Sequence, residues 1–207
     1  MKRKSEIFGL CIGWFAVLSQ FVLMIQNRQA DITETVIRFF SFFTILTNIL
    51  VALFFTVSAL KSKSRLSRVL LMDGSITAIT ALILIVGSVY QLVLRSIWEP
   101  TGLQLIVDEL LHTITPFYML GYWFFNVNNA DLQLKAVLKW LGYPLVYIAF
   151  ITIRGGFSGY YPYPFLNVSD IGYEKALLNT AIIFALLLVL FMALSFLGKT
   201  VIRTRRI

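Results

Sequence analysis

Ala176-Leu-Leu-Asn-Thr180-Ala-Ile-Ile-Phe-Ala185-Leu-Leu-Leu-Val-Leu190-Phe-Met-Ala-Leu-Ser195-Phe-Leu-Gly198 runs for 23 residues without Asp, Glu, Lys, Arg or His. A helix rises about 1.5 Å per residue, and the hydrocarbon core of a bilayer takes about 20 apolar residues to cross. The stretch therefore reads as a transmembrane helix, placed near 174–198. Five more segments of similar character precede it, near 6–26, 36–60, 69–94, 104–127 and 136–154. Only helices or closed barrels satisfy backbone groups inside lipid. The expected fold is all-α: a polytopic membrane protein, 1–207 forming one bundle of six transmembrane helices with no hydrophilic domain appended.

Composition agrees. The chain is 58% hydrophobic and 14% charged, against about 25% charged in soluble domains. Met1-Lys-Arg-Lys before an apolar run resembles a signal peptide, but no small-x-small cleavage site follows, so the run reads as a retained first span. No internal repeat of the kind found in many transporters is visible.

Charge orients the bundle. Thirteen of the 18 Lys and Arg fall on one side of the six-span topology, at both termini and in the connections near 61–68 and 135–139. Seven of the ten acids lie on the other: Asp31, Glu34, Glu99, Asp108, Glu109, Asp170 and Glu174. The positive-inside rule makes both termini cytoplasmic. The net charge of +8 then reflects contact with lipid headgroups rather than nucleic acid. One Cys (Cys11) and one His (His112) exclude an internal disulfide and make a zinc or haem site unexpected. No metal or cofactor is expected.

That histidine lies inside an apolar run, Asp108-Glu-Leu-Leu-His112-Thr-Ile-Thr-Pro116-Phe. An ionisable group within a span is costly and marks a candidate functional site. Imidazole suits general acid–base work. Thr44 lies about as far into the second span as His112 into the fourth, roughly 12 Å below the same end. Asp108 and Asn48 each stand four residues from one of them, on a shared helix face. A hydroxyl, an imidazole and an amide at one depth supply a possible nucleophile, base and oxyanion donor. Plainer readings stand beside this. A lone His packs in many bundles, Thr hydroxyls bond the i−4 carbonyl, Asn joins membrane helices, and Asp108 suits an interface.

Arg154-Gly-Gly-Phe-Ser-Gly-Tyr-Tyr-Pro-Tyr-Pro-Phe-Leu-Asn-Val168 is the most unusual connection. Its Gly and Pro force turns, and its tyrosines suit an interfacial belt. Alternatively it folds back as a lid, with Arg154 presenting a guanidinium able to hold a carboxylate. Tyr161 joins Asn48, Asp108 and Arg154 among the substrate-binding or oxyanion candidates. Pro116 and Pro144 are expected to kink their helices. Asp73, read just inside the third helix, suits a dipole partner. Asn167-Val-Ser169 matches a glycosylation sequon.

Phe39-Phe-Ser-Phe-Phe-Thr44-Ile-Leu-Thr-Asn48, the Leu111-His112-Thr113-x-x-Pro116-Phe117 run, and Arg154 followed by Tyr161-Pro-Tyr-Pro-Phe-Leu166 resemble the androgen-induced protein family. That family includes the androgen-dependent regulator of tissue-factor-pathway inhibitor and small bacterial six-helix relatives, which this chain resembles most. The resemblance implies an intramembrane threonine hydrolase of lipid esters, in animal members fatty acid esters of hydroxy fatty acids, with Thr44 as nucleophile and His112 as base. It implies membrane lipids and a lipid ester as partners, with no nucleic acid, and a multi-pass protein of the bacterial cytoplasmic membrane. The competing class is a non-enzymatic membrane protein, either a small-solute transporter or a lipid-binding partner subunit.

Overall fold

A computed structural model describes residues 2–205. It is helical throughout, with no strand among the described residues. Ten α-helices follow in order: α1 Lys2–Gln26, α2 Ile32–Phe39, α3 Phe43–Ala59, α4 Arg65–Leu70, α5 Ser75–Val89, α6 Gly102–Glu109, α7 Thr115–Asn126, α8 Leu134–Leu138, α9 Gly142–Ser158 and α10 Val168–Thr204. Among the described residues, four helical stretches are long and apolar enough to cross a membrane: Lys2–Gln26, Ser75–Leu94, Leu134–Ser158 and Val168–Thr204. The bent pair α2–α3 makes a fifth if it counts as one span. The chain is a multi-pass membrane protein. The expected span 104–127 falls outside those five. It is helical over Gly102–Asn126, but Asp108, Glu109 and His112 dilute its apolar character.

The expected boundaries change in specific ways. The span read as 36–60 is broken: α2 and α3 meet at 68°, with Phe42 extended between them. Ser41 stabilises the break, its hydroxyl donating to Ile37 O at 2.7 Å while its own carbonyl accepts from Tyr147 OH at 3.0 Å. The span read as 69–94 starts only at Ser75, after the separate α4 and a turn, so Asp73 lies in that turn rather than inside a helix. Gly74 takes φ +81°, and a Cβ there would come within 2.9 Å of the Ala136 carbonyl carbon. Glycine permits both the left-handed backbone and the close approach.

α5 is the axis of the bundle. Ala78, Ile79, Ala81, Leu82 and Ile83 are fully buried, and α3, α7 and α10 pack around it. An apolar helix hidden on all sides reads as apolar all round. α1 lies against α3 through Gly9-x-x-x-Gly13. A Cβ on Gly9 would stand 2.7 Å from the Phe55 ring, and one on Gly13 would stand 3.0 Å from Ala52 Cβ. Small residues four apart let membrane helices approach closely. Large side chains on the outer faces, such as Leu92, Phe125 and Phe157, are exposed, as a lipid-facing surface requires.

Candidate active site

Two π-helical turns lie side by side near one end of the bundle. α5 runs into one at Tyr90–Leu94, and the other, Leu110–Ile114, joins α6 to α7. Such turns are rare and recur at functional sites. Each turn contributes an aromatic ring: Tyr90 stacks on His112 with centroids 4.0 Å apart and planes 12° from parallel. Pro116 shapes the second turn. The Thr115 N–H reaches back five residues to Leu110 O. The next amide in that register, at 116, is absent because proline has no N–H. Leu111 O is thereby left without a helical donor, and Asn48 Nδ2 supplies one at 3.2 Å. Pro116 was expected to kink the helix, and the deviation takes the form of this widened turn just before it.

Asn48 Nδ2 also donates to Thr44 O at 2.9 Å. Both amide protons are engaged, so Asn48 clamps the start of α3 to the His112 turn and has none left for an oxyanion. Its Oδ1 is buried with no hydrogen-bond partner among the described residues.

His112 is oriented by its own helix. Nδ1 lies 2.9 Å from Asp108 O. A carbonyl only accepts, so this contact requires the proton on Nδ1 and leaves the Nε2 lone pair as the basic site. The Asp108 carboxylate stands 3.7 Å from Nδ1, beyond hydrogen-bond range. Asp108 and His112 are both buried.

Thr44 sits in the first turn of α3, a consequence of the break at residues 40–42. Amides there have no intrahelical acceptor, and the helix dipole is positive. Thr44 N–H donates to Tyr163 OH at 3.2 Å, and Thr44 Oγ1 lies 3.3 Å from the same hydroxyl. Tyr163 comes from the connection between α9 and α10. Burial pushes its phenol above the usual range, against the opposing pull of the Thr44 contacts, so it stays protonated at neutral pH.

Thr44 and His112 line one cavity of about 550 Å³. No hydrogen bond joins them, because the Thr44 hydroxyl faces Tyr163. Asp108, Tyr90 and Leu111 share the wall with His112, and the 160–164 connection covers one side. Asn27 to Ala30, Ile97 and Trp98 form the end where helices give way to loops. His112 lies ten residues along the helix from Gly102, roughly 15 Å deeper. Arg28 and Arg38 line the cavity as well. Arg38 Nε donates to Glu34 at 2.8 Å, and its guanidinium lies 4.3 Å from the Tyr160 ring centroid.

Arg154 is occupied elsewhere. It donates to Glu34 at 2.8 Å and to Tyr160 O at 3.3 Å, and it is not part of the cavity wall. Tyr161 packs on α9, where Gly155 makes room for its ring, and does not line this cavity either. The structure thus gathers Thr44, Asp108 and His112 on one cavity, sets Asn48 behind them, and places Arg154 and Tyr161 outside. Tyr163, Tyr90 and Arg38 join the site without having been singled out. The alternating aromatics of 160–165 were the only signal for Tyr163. For Arg38 the signal was a cation one helical turn from Glu34.

Compared with protein-family models, curated proteins and solved structures, the chain matches none.

Proposed function

We propose that the protein is an intramembrane hydrolase of lipid esters. The observation that carries this reading is that a helix-start hydroxyl and an imidazole with a free Nε2 line the same cavity, Thr44 on one wall and His112 on another. Thr44 Oγ1 attacks the ester carbonyl and its proton passes to His112 Nε2. The oxyanion forms beside the first-turn amides of α3 and the Tyr163 hydroxyl, donors fixed before reaction. Collapse breaks the ester C–O bond while His112 returns the proton to the departing alkoxide. Water then attacks acyl-Thr44 by the same route. Asp108 steadies the imidazolium. Catalytic hydrogen bonds in unliganded sites are often unformed and tighten around substrate, which fits the absence of a Thr44–His112 bond.

In this reading the chain is a member of the androgen-induced protein family and crosses the bacterial cytoplasmic membrane six times with both termini inside, Gly102–Asn126 being the fourth span in chain order. The cavity mouth then faces outward, and Arg38, rather than Arg154, holds a free carboxylate of the substrate, as in fatty acid esters of hydroxy fatty acids.

One observation favours a second reading. The Thr44 hydroxyl is committed to Tyr163, as in a lipid-binding protein with no chemistry. A fluorophosphonate probe separates the two. Purified protein in nanodiscs is expected to carry the adduct on Thr44, lost in Thr44→Ala and reduced at least about tenfold in His112→Ala. Absence of label on Thr44, together with no turnover of any ester tested, would leave the binding reading.

A further inference from the structure

A second cavity of about 70 Å³ lies on the far side of Thr44, between α3, α5, α9 and α10. Thr44, Tyr163 and Leu94 line both cavities, so these three residues form the partition. We infer that the smaller cavity is the subsite for the acyl chain of the ester, while the alcohol half occupies the larger one. This rests on the hydrolase reading above.

The assignment follows from the proton. His112 must protonate the alkoxide that leaves, so the alcohol half lies on its side of Thr44. His112 lines only the larger cavity. The acyl group becomes bonded to Thr44 Oγ1 and extends away from the leaving group, and the space on that side is the smaller cavity. Its chemistry suits a hydrocarbon. The wall is mostly apolar, with Ile85, Val89, Ile148, Ile183 and Phe184 among its residues. The hydroxyls that reach it are already bonded: Tyr147 to Ser41 O at 3.0 Å, Thr180 to Ala176 O at 2.8 Å, and Tyr163 to Thr44. A site with no free polar partner does not hold water well and favours an apolar occupant. Because α9 does not pack closely on α10, a longer chain can continue between them towards lipid.

Ile183 is the residue to change. It is half-buried on α10 and lines the smaller cavity. The wild type, Ile183→Trp and Ile183→Ala are assayed in nanodiscs with p-nitrophenyl butyrate and p-nitrophenyl dodecanoate, which share one alcohol. In Ile183→Trp the dodecanoate-to-butyrate ratio of kcat/KM is expected to fall about tenfold, the scale on which a pocket discriminates a methylene or two. In Ile183→Ala it is expected to stay level or rise. If Ile183→Trp does not fold, Ile183→Ala is read against p-nitrophenyl 2-methylbutyrate, whose turnover relative to butyrate should rise. Active enzyme with an unchanged dodecanoate-to-butyrate ratio in folded Ile183→Trp, or, where that variant does not fold, an unchanged 2-methylbutyrate-to-butyrate ratio in Ile183→Ala, would overturn the subsite and leave the hydrolase standing. A wild type that hydrolyses no ester and takes no label on Thr44 would overturn both.

Discussion

Asn48 shows how one side chain joins two elements that the sequence keeps 63 positions apart. Its amide holds Thr44 O and Leu111 O together, and so sets where the Thr44 turn stands relative to His112. Leucine has nearly the same shape and cannot donate. In Asn48→Leu the Leu111 carbonyl loses its donor inside the bundle, at a cost of about 1–3 kcal/mol. The variant is expected to melt lower and, at temperatures where it remains folded, to label at Thr44 more slowly than wild type. Unchanged melting and labelling would mean that the clamp is idle. The spacing of Thr44 and Asn48 was legible from sequence as one shared helix face, but the second partner was not. Leu111 O becomes available only because Pro116 lacks an amide in a π-helical register, and sequence periodicity gives no sign of that register.

Among the elements, the π turn before Pro116 decides which way the imidazole points. One residue of helical register corresponds to a rotation of about 100°. Replacing Pro116 by alanine restores an N–H and removes a residue that disfavours a helix interior by about 3 kcal/mol. The variant is therefore expected to keep or gain thermal stability by circular dichroism. With an ordinary α-helical turn, His112 swings out of the cavity, and Thr44 labelling drops towards the level of His112→Ala. Wild-type labelling in Pro116→Ala would show that the turn does not depend on the proline. The helices themselves were readable from their apolar lengths, as Val168–Thr204 illustrates. The break in Phe39-Phe-Ser-Phe-Phe was not, since an apolar stretch without Gly or Pro carries no stop signal. It is held by tertiary contacts, Tyr147 on Ser41 O and Tyr163 on the Thr44 amide. The outcome at Thr44 is an N-terminal turn in place of mid-helix.

At the scale of the whole molecule, the connection between α9 and α10 is fastened across the end of the bundle by one carboxylate. Glu34 on α2 accepts from Arg38 and from Arg154 on α9, each at 2.8 Å. The two guanidiniums lie 4.3 and 4.8 Å from the centroid of the Tyr160 ring. Burial raises the Tyr160 phenol while both arginines oppose the shift, so the ring meets them as a neutral π face. The unusual composition of this connection was visible in the sequence. Its path was not, because three tyrosines within four residues look alike until the fold sends Tyr160 to the arginines, Tyr161 to Gly155 and Tyr163 to Thr44. Partly exposed ion pairs contribute about 0–1 kcal/mol each, far less than the packing around α5. Glu34→Gln should therefore leave the melting of the bundle nearly unchanged while loosening the cover. Hydrogen exchange read by mass spectrometry is expected to speed up over residues 159–167 and to stay slow over Ser75–Val89. Acceleration in both regions would make Glu34 a support of the bundle itself. Acceleration in neither would mean that the tyrosines hold the connection without the ion pairs.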